Sequence, residues 1–97
     1  DHLLTLQPTN YPAMLNRAIA YLRSDRLDEA KKEYETLQQA LPKAYPVYFG
    51  LAEIAFRRNE TNTAIQHYEA YLSNAVTNSA EAQFVEKRLK ELKGAAP

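Results

Sequence analysis

Residues 11–44 read YPAMLNRAIAYLRSDRLDEAKKEYETLQQALPKA, and residues 45–78 read YPVYFGLAEIAFRRNETNTAIQHYEAYLSNAVTN. A shift of 34 residues places Tyr11 and Pro12 on Tyr45 and Pro46, Ala18 on Ala52, Arg23 on Arg57 and Ala30 on Ala64. It also places Tyr34 and Glu35 on Tyr68 and Glu69. Chemically similar residues keep the same register: Leu15 with Phe49, Leu22 with Phe56, Asp25 with Asn59, and Leu37 with Tyr71. Self-similarity at a fixed period of about 20–50 residues marks an architecture of stacked units, each unable to bury its apolar face alone. A fainter echo lies upstream, where Pro8 precedes Pro42 and Leu3 precedes Leu37 by the same offset. Residues 1–7 are therefore expected to be the last turns of an earlier unit.

Within each unit the period is helical. Glycine occurs only at Gly50 and Gly94, while Ala, Leu, Glu, Lys, Gln and Arg abound, so consecutive helices are expected and strands are not. The spacing predicts helices at about 12–24, 27–41, 46–58, 62–74 and 79–93. Pro12 and Pro46 suit a first helical turn, whose N–H groups have no intrahelical partner. Asp25 and Asn59 fall in the bends inside each hairpin and tolerate the left-handed backbone such bends use. Asn78 with Glu81 has the spacing of a capping box for the last helix, and Gly94 is placed to end it.

The helices differ in how much of their circumference is apolar. In the first, Met14, Ala18 and Tyr21 form one stripe and Leu15, Ile19 and Leu22 a second beside it. The helix that follows has one edge, Leu27, Ala30, Tyr34, Leu37 and Leu41. The second unit repeats the contrast: Val47, Tyr48, Leu51, Ala52, Ile54 and Ala55 face a core, Phe49 and Phe56 lie to another side, and the following helix offers Ala64, Ile65, Tyr68, Tyr71 and Leu72. Wide-striped leading helices touch several neighbours, whereas narrow-striped following helices form an outer wall.

Composition excludes several functions. Twelve basic and twelve acidic residues balance, so no net field draws the chain to phosphate or anionic lipid, and nucleic acid is not an expected partner. Cysteine is absent, which removes disulfides and thiolate metal sites from consideration. No apolar run reaches the roughly 18 residues of a spanning helix, so membrane insertion is not expected. Asp1, His2, Leu3 and Leu4 lack the plan of a signal peptide. His2 and His67 are isolated, no serine has a paired histidine and carboxylate, and no glycine-rich loop could cradle a nucleotide. Neither enzymatic activity, cofactor nor metal is expected.

These residues resemble the tetratricopeptide repeat family, which has the same 34-residue period and a helix-turn-helix unit. In the first repeat the matching motif positions are Met14, Ala18, Tyr21, Ala30, Tyr34 and Pro42; in the second they are Tyr48, Leu51, Ala52, Ala64 and Tyr68. Departures are Arg17 where the family has leucine, Leu37 and Tyr71 where it prefers alanine, Ala55 for tyrosine, and Val76 for the closing proline. The resemblance implies an all-α, right-handed α-solenoid of antiparallel hairpins. Residues 1–10 would be the tail of a preceding repeat, 11–44 and 45–78 two repeats, and 79–97 a capping helix and tail, the whole being part of a longer repeat protein.

The resemblance also implies a protein-binding scaffold whose partner, a peptide or helix, lies in a concave groove lined by the leading helices. That groove would carry Leu15, Ile19, Leu22 and Arg23 from the first repeat and Phe49, Glu53, Phe56 and Arg57 from the second. Leu22 and Phe56 could instead fill the space between adjacent hairpins. The Lys, Asn and Arg clamp with which one subtype grips a chaperone's terminal carboxylate is absent, since the corresponding faces hold Leu15, Ile19, Phe49, Glu53, Gln83 and Lys87. Two alternatives remain: self-association through surface around Leu3, Leu4, Met14 and Tyr21, or service as the substrate-recruiting arm of a larger enzyme.

Overall fold

In the bends after Arg23 and Arg57, Asp25 and Asn59 take φ angles of 61° and 60°, the left-handed conformation expected of them. The Arg26 N–H reaches back to the Tyr21 carbonyl at 2.8 Å and the Glu60 N–H to that of Ala55 at 2.9 Å. Such six-to-one bonds close a helix end and turn the chain sharply. The computed structural model describes residues 10–76 and 78–95. Among these the chain forms five helices and no strand: α1 Tyr11–Arg23, α2 Leu27–Ala40, α3 Tyr45–Arg57, α4 Thr61–Asn74 and α5 Ala80–Ala95. Each bound lies within two residues of the expected one.

Both prolines sit in the first turn of their helices. Asn10 caps α1 by accepting from the Ala13 N–H at 3.3 Å. At α5 the expected capping box is corrected: Ser79, not Asn78, accepts from the Ala82 N–H at 3.0 Å, and Glu81 is diverted to the hydroxyl of Tyr71 at 2.8 Å. Gly94 does not end the last helix, which runs on through Ala95. At the start of α2, Asp28 bonds Arg58 and Glu29 bonds Arg26.

The helices stack in order, α1 on α2, α2 on α3, α3 on α4 and α4 on α5, and α1 also touches α3. The result is elongated, 45 × 26 × 20 Å. Two core clusters run through it. The first joins Met14, Ala18 and Leu22 of α1 to Ala30, Tyr34 and Leu37 of α2 and to Val47, Leu51 and Ile54 of α3. The second joins Ala52 and Ala55 of α3 to Ala64, Tyr68 and Tyr71 of α4 and to Ala82, Val85 and Leu89 of α5. Helix α3 thus contributes one face to each core, which explains its broad apolar circumference. The four alanines in matching register, Ala18, Ala30, Ala52 and Ala64, are all fully buried, as close helix crossings require.

Three of the residues that depart from the repeat pattern have local causes. Arg17 forks onto Glu33 at 3.0 and 2.7 Å, tying α1 to α2 where an apolar contact would otherwise stand. Leu37 and Tyr71 are buried to within 1% of full coverage, so each fills its cluster with more volume than an alanine would. At Gly50 the ring of Tyr34 passes so close that a Cβ would overlap it. Glycine weakens a helix interior by about 1 kcal/mol relative to alanine; here it admits a fully buried tyrosine.

Candidate binding groove

Helices α1 and α3 lie side by side, and the depression along them holds two clefts. The first, about 290 Å³, is lined by Ile19, Leu22 and Arg23 of α1, Tyr34 of α2, Pro46, Phe49, Glu53 and Arg57 of α3, and Glu81 of α5. Six of the eight residues expected to line a groove therefore meet at one place. Leu15 lies in the adjoining cleft, about 280 Å³ and wholly apolar, with Tyr11, Pro12, Leu37, Leu41, Ala44, Pro46 and Val47. Pro46 borders both. Phe56 lines neither, its ring lying 3.8 Å from the guanidinium carbon of Arg88.

Burial separates these residues into roles. Leu22 is 7% exposed and belongs to the first core while touching the cleft with its edge. Leu15, Ile19 and Phe49 are half-buried, with apolar surface left open. Phe49 packs on Tyr71 at 5.9 Å and on Phe84 at 6.3 Å. Phe56 and Phe84 are the more exposed pair, 36% and 42%, and Arg88 lies over both rings.

The charges of the first cleft are mostly spoken for. Glu53 accepts from the Tyr68 hydroxyl, and Arg88 stands 3.4 Å from that carboxylate and 3.1 Å from the phenol oxygen. Burial, then the hydrogen bond to Glu53, drives the Tyr68 phenol well above the ordinary tyrosine range. Arg57 donates to the Leu22 carbonyl at 2.7 Å and lies 3.6 Å from Asp25. Arg23 has no hydrogen bond or ion pair among the described residues. Tyr34 is 1% exposed, and its hydroxyl likewise has no partner among them. Burial pushes that phenol up to about 12, with Arg23 pulling it down and Glu53 pushing it further up.

Sequence reasoning missed Tyr34, Glu81 and Arg88 as members of this surface. Arg88 sits on α5, where its reach back to α3 has no periodic signature. Tyr34 had a signal, because Gly50 is a lone glycine within an otherwise well-formed helix, the mark of a close approach. Leu3, Leu4 and residues 1–9 as a whole lie outside the described residues. Among the described residues no group of three or more His, Asp or Glu could hold a metal ion, and no helix is long and apolar enough to cross a membrane.

Hairpins of two antiparallel helices, repeated in register and packed face to face, define an all-α repeat protein. A family model described as the tetratricopeptide repeat matches residues 12–44, covering α1, α2 and the bend between them, so this segment is similar to a single tetratricopeptide repeat. No curated protein matches it. Repeats of this kind generally serve as protein–protein interaction modules and non-catalytic scaffolds, using the extended surfaces that stacking creates.

Proposed function

We propose that this module binds a segment of a partner protein along the depression between α1 and α3. One observation carries the reading: the first cleft draws Ile19, Leu22, Arg23, Phe49, Glu53 and Arg57 together around open apolar surface, with a second apolar cleft beside it. Recognition surfaces combine a desolvated apolar centre with a polar rim, and Leu15, Ile19 and Phe49 supply the former while Arg23 and Arg57 supply the latter. Phe56 has a supporting part, holding Arg88 in place rather than meeting the partner.

The test places a photo-crosslinking amino acid at position 19 in the cleft or at exposed position 66 on α4. Irradiation in a lysate of the source cells is expected to give a discrete adduct from position 19 and none from position 66. Equal capture from both positions, or none from 19, removes the reading.

A further inference from the structure

The two repeats treat their matching tyrosines differently. Tyr34 and Tyr68 stand 34 residues apart, both essentially fully buried. Tyr68 donates to Glu53, a carboxylate that Arg88 also faces. In the first repeat the position matching Glu53 is Ile19, and the Tyr34 hydroxyl has no acceptor among the described residues. Tyr34 nevertheless lines the cleft, together with Arg23 and Arg57. No buried side-chain oxygen or nitrogen among the described residues lacks a partner, so the Tyr34 hydroxyl opens on the cleft and is free to donate to a group that enters it.

We infer that the first cleft takes an aspartate or glutamate side chain from the partner segment, which supplies to Tyr34 and Arg23 the carboxylate that Glu53 supplies to Tyr68 and Arg88. The inference rests on the groove reading above and names the chemistry recognised there. Charge supports it. Of the two carboxylates lining the cleft, Glu53 is engaged by Tyr68 and Arg88, and Glu81 by the Tyr71 hydroxyl. Of its two guanidiniums, Arg57 is held by Leu22 and Asp25, which leaves Arg23 as the one with no hydrogen bond or ion pair among the described residues.

The adjoining apolar cleft fixes what accompanies the acid. Its counterpart in the second repeat is closed by rings, with Tyr71 packed against Tyr45 at 5.5 Å and Phe49 at 5.9 Å. In the first repeat Leu37 and Leu15 stand at the positions of Tyr71 and Phe49, and the space is open. A bulky apolar side chain of the partner fills it. Leu15 and Arg23 are eight residues apart on α1, about 12 Å at the helical rise. An extended segment covers that span in roughly three to four residues. The occupant is thus an extended peptide with an acidic residue three or four positions from an aromatic or large aliphatic one.

The experiment begins by selecting a random 12-residue peptide library, displayed with its C-terminus blocked, on the full chain. Selected peptides are synthesised with a fluorophore and titrated by anisotropy, and circular dichroism establishes that each protein variant is folded. The expected result is enrichment of that pairing, with binding weakened about tenfold in Tyr34→Phe and in Arg23→Gln. Replacing the peptide acid by its amide should weaken binding to the natural chain yet matter little to Tyr34→Phe. Ile19→Glu, which builds the second repeat's arrangement into the first, should remove the preference for acid. Peptides that lose affinity in Leu15→Ala but show no acidic preference would overturn the carboxylate inference and leave the groove standing. Peptides insensitive to every one of these variants, or no selected peptide at all, would overturn both. Dependence on a free peptide C-terminus, or a concentration-dependent dimer that blocks the selected peptide, would assign the cleft to a chain end or a second copy and also overturn the inference.

Discussion

Gly50 and Tyr34 constrain each other, because the ring stands where a Cβ at position 50 would be. Alanine at 50 gains about 1 kcal/mol of helix propensity, but its Cβ overlaps the Tyr34 ring, and overpacking a filled site costs about 1–3 kcal/mol. Gly50→Ala is therefore expected to lower the urea midpoint in the natural chain and to raise it in a Tyr34→Leu background. Like signs in the two backgrounds would show that the ring does not set the constraint. Ala64, fully buried at a helix crossing, leaves no such freedom. Ala64→Leu should cost about 1–3 kcal/mol, and an unchanged melting temperature would contradict the packing. His67 adds a pH dependence. Half-buried and stacked on Tyr48 at 6.3 Å, it is held below its ordinary value of 6.5 mainly by burial, with Glu35 opposing and Lys31 assisting. The unfolded chain takes up its proton first as pH falls, so this contribution is full above about 6.5 and lost below it. Chemical denaturation between pH 7.5 and 5 should show a decline that His67→Gln flattens.

Among the elements, α5 is tied to both α3 and α4 by long charged side chains. Arg88 spreads over Phe56 and Phe84 while bonding Tyr68 and facing Glu53, and Lys93 reaches Glu69 at 2.6 Å. Stacked cations of this kind contribute on the order of 0.5–2 kcal/mol. Arg88→Ala should speed amide exchange throughout α5 while leaving α1 and α2 unchanged; uniform acceleration would mean that the contact stabilises the whole stack instead. Helices and bends were legible because they rest on local chemistry and a repeated period: Pro12 and Pro46 open helices, and Asp25 and Asn59 turn the chain. Six residues of the first cleft were legible for the same reason, since Ile19 and Phe49 stand on apolar stripes beside those that face the core. What escaped were pairings between faces that only the fold brings together. Arg17 met Glu33 sixteen residues on, Asp28 met Arg58, and Glu81 turned to Tyr71 instead of capping its own helix. A sequence period states which side of a helix is apolar but not which neighbour stands opposite each polar residue.

Over the whole molecule, cooperativity follows from α3, whose Val47, Leu51 and Ile54 enter one core and Ala52 and Ala55 the other. Leu51→Ala truncates a residue only 5% exposed, and large-to-small changes in such sites cost about 2–5 kcal/mol. Because the same helix carries the second core, the midpoint read from a Tyr68 resonance should fall by as much as that read from Tyr34. Divergent midpoints would mean that the cores melt independently. The position of α3 also bears on how such a protein could be rearranged. Its natural joint is not the boundary between one repeat and the next, because severing the chain after Ala44 would strip the first core of three side chains and hand them, uncovered, to the other fragment. A duplication or transplant that begins before α1 and ends after α3 would carry the whole of the first core with it. The piece that can be moved is thus a hairpin together with the leading helix of the next, half a period longer than the unit that the sequence repeats.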